Sequence, residues 1–295
     1  MNLNTRLLYE ATQISRFRAW ANSAMLDCEN GKAYLSMDTR EVNLSTARAA
    51  TESAPAPLAH QAVHDTVVNI LQELPKGKLL DVPAGEGALA ARLGQAGFEI
   101  ECCDLYPEIF RLPAVEIKRG DLAGTLRYPD QSFDYITCLE GLEHIENPQQ
   151  AMREFARLLR TGGHLITSIP NILNVEERLK WLIYGYTSHF KPLTRESVAQ
   201  VRKQFGEKVE VALHVNAISY SELRYSLEHC GFEIVKLCRD KPKAHSWLYW
   251  PVVALIRAVA FFTPERKKRE RWTEDLVSDE VLLGGNTLIV HAIKI

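Results

Sequence analysis

The sequence lacks the features that mark secreted and membrane-spanning proteins. Residues 1–16 contain no apolar core of a signal peptide, and they include the acidic Glu10. An apolar stretch near the C-terminus, Trp247–Phe262, has 16 residues and falls short of the ~20 that a membrane-spanning helix needs. The six cysteines form no CxxC pair and no regular disulfide framework. We therefore expect a cytoplasmic protein with reduced cysteines.

The sequence also lacks an excess of either charge. Its 35 basic and 37 acidic residues give a formal net charge of -2, which argues against nucleic acid as a partner. With 46% hydrophobic residues over 295 positions, the chain can bury a full core. We predict an N-terminal arm and linker over residues 1–56, followed by one domain over residues 57–295.

Short apolar runs alternate with amphipathic segments from residue 58 onward. Each run has the length of a buried parallel strand, which predicts an α/β fold with a mostly parallel, seven-stranded sheet. The predicted strands are residues 78–82, 98–104, 115–118, 133–139, 164–169, 232–237 and 286–294. The helix predicted over residues 148–160 runs into the letters RTGG, whose glycines suit a left-handed C-cap.

The stretch LLDVPAGEG, residues 79–87, joins the first predicted strand to a helix. In an open α/β sheet the ligand lies beyond the carboxyl ends of the strands, at such a loop. Gly85 and Gly87 let the main chain approach a ligand closely, and the following helix presents its free N–H groups. The GxGxxG pattern of a dinucleotide site is missing, and a pyrophosphate fits poorly beside Asp81 and Glu86. The loop favours a cationic ligand without phosphate, such as S-adenosylmethionine, with Asp81 accepting a hydrogen bond from its ammonium group.

Two further acids follow the next two predicted strands. Asp104 ends the second strand, 23 residues after Asp81, close to the offset at which a carboxylate meets ribose hydroxyls in this architecture. Asp121 follows the third strand, and we expect it to accept a hydrogen bond from the adenine amino group. Leu105 and Leu122, which stand beside these acids, complete the predicted cofactor pocket.

With these residues the chain resembles the class I S-adenosylmethionine-dependent methyltransferases, and among them the ubiquinone-biosynthesis O-methyltransferases. The motifs that carry the resemblance are LLDVPAGEG, IECCD, RGDL, FDYITCLEGLEHIENP, LLRTGGHLITSIPN and GFEIVKL. The resemblance implies a Rossmann-like fold and methyl transfer from S-adenosylmethionine to an oxygen of a small-molecule, lipid-linked or glycan acceptor. Pro83 departs from the family, because it stands where the first glycine of a GxGxG loop is usual. We expect tighter loop geometry there, with cofactor binding retained.

Three other functions stay open at the level of the sequence. The first is a binding or regulatory protein that keeps the cofactor fold without turnover, and it would release no S-adenosylhomocysteine. The second is a methyltransferase that acts on small RNA. The third is a nucleotide-dependent oxidoreductase, which the missing GxGxxG pattern disfavours.

The stretch CLEGLEHIENP follows the fourth predicted strand. Its Glu140, Glu143 and His144 are spaced so that their side chains project to one side of a helical turn, where they suit Mg²⁺ or Mn²⁺. The ubiquinone-type and small-RNA methyltransferases that the chain resembles carry such a pattern together with a divalent metal. A metal would activate the acceptor oxygen. Without it, Glu140 lines the cofactor pocket and His144 acts as a base or packs. His189 and His214 are candidates for further ligands.

Two insertions extend the predicted domain. Residues 172–216, rich in aromatic side chains, are expected either to cover the acceptor pocket or to pack as an amphipathic face on the domain. Residues 241–283 combine an apolar stretch with a basic run, as a segment lying on an anionic membrane surface does. Contact through residues 246–271 would place the protein at the inner face of a membrane; a buried helix or a dimer face is the alternative.

Overall fold

The computed structural model describes residues 54–205, 213–243 and 245–295, and within them the seven predicted strands are present. The strands are β1 (Lys78–Asp81), β2 (Glu99–Asp104), β3 (Ile117–Arg119), β4 (Phe133–Cys138), β5 (Leu159–Pro170), β6 (Phe232–Arg239) and β7 (Thr287–Lys294). They form one sheet in the order β3-β2-β1-β4-β5-β7-β6. Only β7 runs antiparallel to its neighbours. The predicted seven-stranded, mostly parallel Rossmann-like sheet is confirmed.

Helices connect most of the strands. The helices outside the two insertions are α1 (Gln61–Gln72), α2 (Ala88–Gln95), α3 (Pro148–Leu158) and α6 (Tyr220–His229). The two insertions hold α4 (Val175–Tyr184), α5 (Arg195–Phe205), α7 (Trp250–Phe262), α8 (Glu265–Glu270), α9 (Thr273–Leu276) and α10 (Asp279–Leu282). Single 3-10 turns lie at Pro107–Ile109, Leu142–His144 and Ser246–Tyr249.

Alternate side chains of the strands enter two separate cores, one on each face of the sheet. On one face Leu165 and Ile169 of β5 pack with α3 and α6. On the other face Ile166 packs with α1 and α2. The fold is therefore a sheet between two helical layers, and the strand ends, rather than the strand faces, are available for a ligand.

Most predicted strand boundaries differ from the observed ones by one or two residues, and the fifth strand begins at Leu159 rather than at residue 164. The third strand begins at Ile117 rather than at residue 115. The helix predicted over residues 148–160 ends at Leu158, because Leu159 is fully buried, adopts an extended conformation and pairs with Phe133 of β4. Gly162 has the positive φ that the sequence suggested, but it lies inside β5 and does not cap the helix.

The loops that follow β1, β2, β4, β5 and β6 all leave the sheet at the same end, the carboxyl end of these strands, because the strands run in the same direction. Both insertions therefore begin at the end of the sheet that holds the glycine-rich loop. No helix in the described parts of the chain is long and apolar enough to cross a membrane. Five cysteines are unpaired, and Cys28 lies outside the described residues. The predicted arm, apart from residues 54–56, also lies outside them.

Candidate active site

Asp81 lies at the carboxyl end of β1 and is almost completely buried. Thr137 of β4 donates a hydrogen bond to its Oδ1 atom over 2.7 Å, whereas Oδ2 has no hydrogen-bond partner in the described residues 54–205, 213–243 and 245–295. Burial raises the pKa of Asp81 to about 7 against the effect of the Thr137 hydroxyl, and the nearby Asp104 charge adds to the rise. A buried carboxyl oxygen without a partner is an acceptor for a cationic donor from a ligand.

Asp104, at the end of β2, is buried and anchors the glycine-rich loop. Its Oδ2 accepts the N–H of Gly85 over 2.9 Å and its Oδ1 accepts the N–H of Tyr106 over 2.8 Å. Each carboxylate oxygen has a second acceptor position for a ligand hydroxyl. This anchoring role was missed by the sequence analysis, because nothing in the spacing of Asp104 and Gly85 distinguishes a loop contact from a ligand contact.

The two loop glycines adopt backbone conformations that favour glycine, with φ of 56° at Gly85 and 93° at Gly87. A Cβ atom would lie 2.8 Å from the Leu58 side chain at the first position and 2.7 Å from Phe110 at the second. The space beside each glycine is therefore occupied by side chains of the chain itself. The predicted close approach of a ligand to this backbone stays a prediction.

Pro83 joins the glycine-rich loop to the segment after β4. The Val82–Pro83 peptide is cis, and a Cβ atom at Gly141 would lie 2.8 Å from the Pro83 ring. Further along the same loop, the Glu86 carboxylate accepts the N–H of Ala56 over 3.0 Å. The loop after β1 and the turn that carries Glu143 are thus in direct contact.

The remaining predicted cofactor residues follow β2 and β3. Asp121 is exposed, and its Oδ1 accepts the N–H of Ala123 over 2.8 Å. Leu122 is buried in the core, and the carbonyl of Leu105 accepts a hydrogen bond from Arg119 over 2.8 Å. Asp81, Asp104 and Asp121 lie at or just beyond the ends of three adjacent strands.

Glu140 follows β4 in a left-handed conformation, with φ of 49°. Ser168 of β5 holds it at both ends, because its Oγ accepts the Glu140 N–H and donates to Glu140 Oε1, each over 3.0 Å. Burial raises the pKa of the Glu140 carboxyl. The side chain that the sequence assigned to a metal is thus fixed by β5.

Glu143 is fully buried, and neither of its carboxyl oxygens receives a hydrogen bond from the part of the chain that the structure describes. Burial, followed by the adjacent Glu140 carboxyl, raises the pKa of Glu143 well above its ordinary value. Its ligand atom lies with those of His144 and His214 in a group whose members are all within 4.8 Å of one another. That spacing is slightly wider than around a bound cation, where ligand atoms at ~2.1 Å from the metal are at most about 4.2 Å apart.

The segment that carries His214 is held against the Glu143 turn by backbone contacts. The carbonyl of Glu143 accepts the N–H groups of Val215 and Asn216 over 2.9 and 3.0 Å. Nδ1 of His144 lies 3.0 Å from the carbonyl oxygen of Leu213. Because a carbonyl accepts, Nδ1 carries the proton and Nε2 is the lone-pair atom of the ring.

The structure therefore brings together two residues of the predicted metal set and one of the two candidate further ligands. Glu143 and His144 lie with His214, whereas Glu140 is outside the group of three. The His189 ring stacks on His214 with 6.3 Å between ring centroids, and it is not part of the group found in the described residues. Burial lowers the pKa of His214 to about 4, so its imidazole is neutral at pH 7 and has a lone pair for a metal.

A methyltransferase domain model matches residues 58–237, which contain every predicted cofactor and metal residue. The chain belongs to the methyltransferase domain family. With its sheet order, it is a class I S-adenosylmethionine-dependent methyltransferase.

Curated relatives of this methyltransferase include enzymes of ubiquinone biosynthesis. It is 35% identical over 116 residues to the ubiquinone biosynthesis O-methyltransferase of Alkalilimnicola ehrlichii, a match covering 36% of this chain and 47% of that protein. The corresponding protein of Photorhabdus laumondii is 29% identical over 174 residues, with 52% and 70% covered. The chain thus spans about half the length of the first relative.

Solved structures of other methyltransferases also align with this chain. One from Thermotoga maritima covers 79% of this chain and 91% of its own at 18% identity, with a TM-score of 0.46. Another, from Archaeoglobus fulgidus, covers 78% and 94% at 16% identity, with a TM-score of 0.47.

Proposed function

We propose that this methyltransferase transfers the methyl group of S-adenosylmethionine to a hydroxyl oxygen of its acceptor, with a divalent cation held by Glu143, His144 and His214. The observation that carries the proposal is the buried Glu143 carboxyl, which has no hydrogen-bond donor among the described residues and lies with two imidazoles whose ligand atoms are within 4.8 Å. A buried acid in this state needs either a proton or a cation. The names of the relatives support an oxygen acceptor.

The cofactor half of the proposal rests on three acids at adjacent strand ends. Asp81 Oδ2 accepts from the ammonium group of the cofactor, because it is the buried acceptor that has no partner within the described residues. Asp104 uses its remaining lone pairs for the ribose hydroxyls, and Asp121 accepts from the adenine amino group. S-adenosylmethionine supplies an electrophilic methyl group on its sulfonium. Gly85, held by Asp104, keeps the loop beside these acids.

The part of the proposal that concerns the acceptor rests on the charge and the orientation of the residues that would bind the cation. Imidazoles bind a metal in their neutral form, so two of them with one carboxylate would give the ligand set a single negative charge, and such a mixed set suits Mn²⁺ as well as Mg²⁺. A bound cation lowers the pKa of an acceptor hydroxyl. His144 is oriented by its contact with the Leu213 carbonyl, and Glu140, which Ser168 holds beside Glu143, would orient the acceptor. The acceptor is a small-molecule, lipid-linked or glycan intermediate.

The experiment measures the formation of S-adenosylhomocysteine from S-adenosylmethionine, with a catechol as the test acceptor that receives the methyl group. Mn²⁺ binding is followed separately by electron paramagnetic resonance. We expect EDTA to abolish turnover and Mn²⁺ or Mg²⁺ to restore it. Glu143→Gln and His214→Ala should lower turnover and Mn²⁺ affinity at least about tenfold each, the usual cost of a disturbed metal site, and leave cofactor affinity nearly unchanged.

The matched control is His229→Ala, which removes an exposed imidazole on α6. It should change neither Mn²⁺ affinity nor turnover. Full turnover in EDTA would contradict the metal and leave His144 as a general base. Cofactor binding without turnover on any hydroxylated acceptor would favour a binding or regulatory protein instead.

A further inference from the structure

Helix α7 is apolar on the side that faces away from the protein. Its inner side packs through Val253 and Ala260, which are buried. Its exposed positions are all apolar: Trp250, Pro251, Ala254, Leu255, Ala258, Val259, Phe261 and Phe262. The side chains of Phe261 and Phe262 are 75% and 81% exposed. A helix side that faces water is ordinarily polar, so this side is built for an apolar environment.

The one charged residue of α7 points the opposite way. Arg257 is half-buried, and its guanidinium donates to the carbonyl of Val277 and to the carboxylate of Asp279. Its charge is therefore compensated by the protein. The helix presents its charge to the protein and its large aromatic side chains to the outside.

The end of α4 carries a second group of exposed apolar side chains. Trp181, Leu182, Ile183 and Tyr184 are all exposed, Leu182 to 79%. The two helices are neighbours, because Val175 of α4 and Val253 of α7 share one apolar cluster. Charges of Glu176, Lys180 and Glu177 on α4 act on the hydroxyl of Tyr249, directly before α7. We name the exposed residues of 181–184 and 247–262 the apolar face.

A basic segment adjoins the apolar face. Residues 265–271 contain five basic and two acidic side chains, a net charge of +3, and they begin three residues after Phe262. The ammonium of Lys268 lies 6.0 Å from the centroid of the Phe261 ring. Aromatic residues next to clustered basic residues match the boundary between the acyl chains and the headgroups of an anionic leaflet.

We propose that the apolar face, with the adjoining basic segment, is a docking surface for an anionic lipid bilayer. At 13 residues and ~20 Å, α7 is too short to cross the bilayer and lies in its interface. Helix α4 follows β5 and α7 follows β6, and both strands end on the side of the sheet where Asp81 and Glu140 lie. Docking would therefore turn this end of the sheet toward the membrane. The proposal goes beyond methyl transfer, and binding can be measured without turnover.

The test is flotation of the full chain with vesicles of phosphatidylcholine, with or without about a third of phosphatidylglycerol. We expect binding to the anionic vesicles that weakens as salt rises and the Debye length falls from ~10 Å. The double variant Phe261→Ser/Phe262→Ser should lower partitioning at least about tenfold on anionic vesicles. Leu182→Ser should lower it several-fold, which tests the part that α4 plays. Lys267→Glu/Arg269→Glu should lower it on anionic vesicles by roughly fivefold or more per site.

Two controls match these variants in chemistry. Val235→Ser removes an exposed apolar side chain on β6, and Arg153→Glu reverses an exposed charge on α3. Both should bind vesicles as the wild type does. Phe262→Trp, which keeps an aromatic group, should retain binding, and circular dichroism with cofactor affinity verifies that each variant is folded.

Three results would overturn the proposal. One is a folded wild type that stays with the soluble fraction at low salt. Another is binding that is indifferent to the changes at Leu182 and at the two phenylalanines. The third is a dimer in solution that Phe262→Ser dissociates, without vesicle binding, because the apolar face would then join two copies of the chain.

Discussion

At the scale of single residues, Asp81 connects burial to ligand binding most directly. One carboxyl oxygen accepts a hydrogen bond from Thr137, and the other has no hydrogen-bond partner within the described residues. The buried carboxyl can therefore accept a hydrogen bond from a ligand. Its pKa of about 7 means that it exchanges its proton near physiological pH. A cationic ligand favours the ionised form, and binding therefore displaces a proton.

This linkage predicts the pH dependence of cofactor affinity. Below pH 7 the Asp81 carboxyl is protonated and cannot pair with an ammonium group, so affinity should rise as pH increases, by up to about tenfold between pH 6 and pH 8. Calorimetry of S-adenosylhomocysteine binding at several pH values measures the effect. Asp81→Asn should bind weakly with little pH dependence. A wild-type affinity that is flat from pH 6 to pH 8 would contradict the role of Asp81.

The sequence predicted the strand-end acids because apolar runs define where strands stop, and the acids come directly at those stops. Asp81 and Asp104 are such residues. Among the partners that complete the site, the sequence named His214 only as a candidate further ligand and did not name Ser168, because spacing along the chain places neither side chain. His214 reaches Glu143 across 71 residues of chain, and Ser168 reaches Glu140 across 28, so tertiary packing decides both contacts. A polar residue in an otherwise apolar strand end, as at Thr137 and Ser168, was the available signal.

At the scale of elements, Arg157 ties α3 to the loop that precedes β4. Its guanidinium donates to the carbonyls of Leu126 and Tyr128 and to the carboxylates of Glu154 and Asp130. Glu154 is buried and also accepts the N–H of Leu126 over 2.7 Å. The loop is held by these bonds, since it has no helix or strand of its own between β3 and β4.

Arg157→Ala should therefore destabilise the protein strongly. The substitution leaves the buried Glu154 carboxylate without its cationic partner, and it leaves two carbonyls without their hydrogen-bond donor. We expect the free energy of unfolding to fall by about 3 kcal/mol. Urea unfolding measures it. The control Arg160→Ala breaks the more exposed pair with Asp134 and should cost no more than ~1 kcal/mol. Equal costs for the two variants would contradict the role of Arg157 in holding the loop.

The ends of elements were less predictable than their existence. The run LLRTGG has the composition of a helix end, but the burial of Leu159 and its pairing with β4 extend the strand over this stretch. Local composition indicates only which secondary structure a segment favours on its own. Burial of the Leu159 side chain stabilises the fold by about 2 kcal/mol, which exceeds the stabilisation that a glycine cap would give the helix.

At the scale of the whole molecule, buried histidines make stability depend on pH. Burial, followed by the nearby Arg92 charge, lowers the pKa of His64 in α1 to about 4 from an ordinary value of 6.5. The unfolded chain therefore binds a proton between pH 6.5 and pH 4 that the folded chain does not. The contribution of His64 to stability is complete above pH 6.5 and is lost as pH falls toward 4.

Replacing this histidine isolates its effect from those of the other titrating groups. Between pH 7 and pH 4 the wild type should lose about 3 kcal/mol more of its free energy of unfolding than His64→Gln does. Denaturant unfolding at several pH values provides the comparison. His229→Gln, at an exposed position, should follow the wild-type curve. Parallel curves for the wild type and His64→Gln would contradict a buried, neutral His64.

The overall architecture was predictable because the alternation of apolar runs and helical segments specifies a class of sheet. The order of the strands has a different origin. β7 comes after β6 in the chain but lies between β5 and β6 in the sheet, a position that depends on contacts far apart in sequence. The resemblance to methyltransferases implied the fold, and local patterns alone do not order the strands.

The place of β7 also sets the order in which the protein can be made. The strand pairs along both of its edges, with β5 and with β6, yet it follows both of them in the chain. Until residues 287–294 have left the ribosome, β5 and β6 have no strand between them, while the aromatic residues of α7 have already emerged. Completion of the sheet therefore comes after the synthesis of α7, and the nascent chain carries the apolar residues of this helix while β5 and β6 still lack the strand between them.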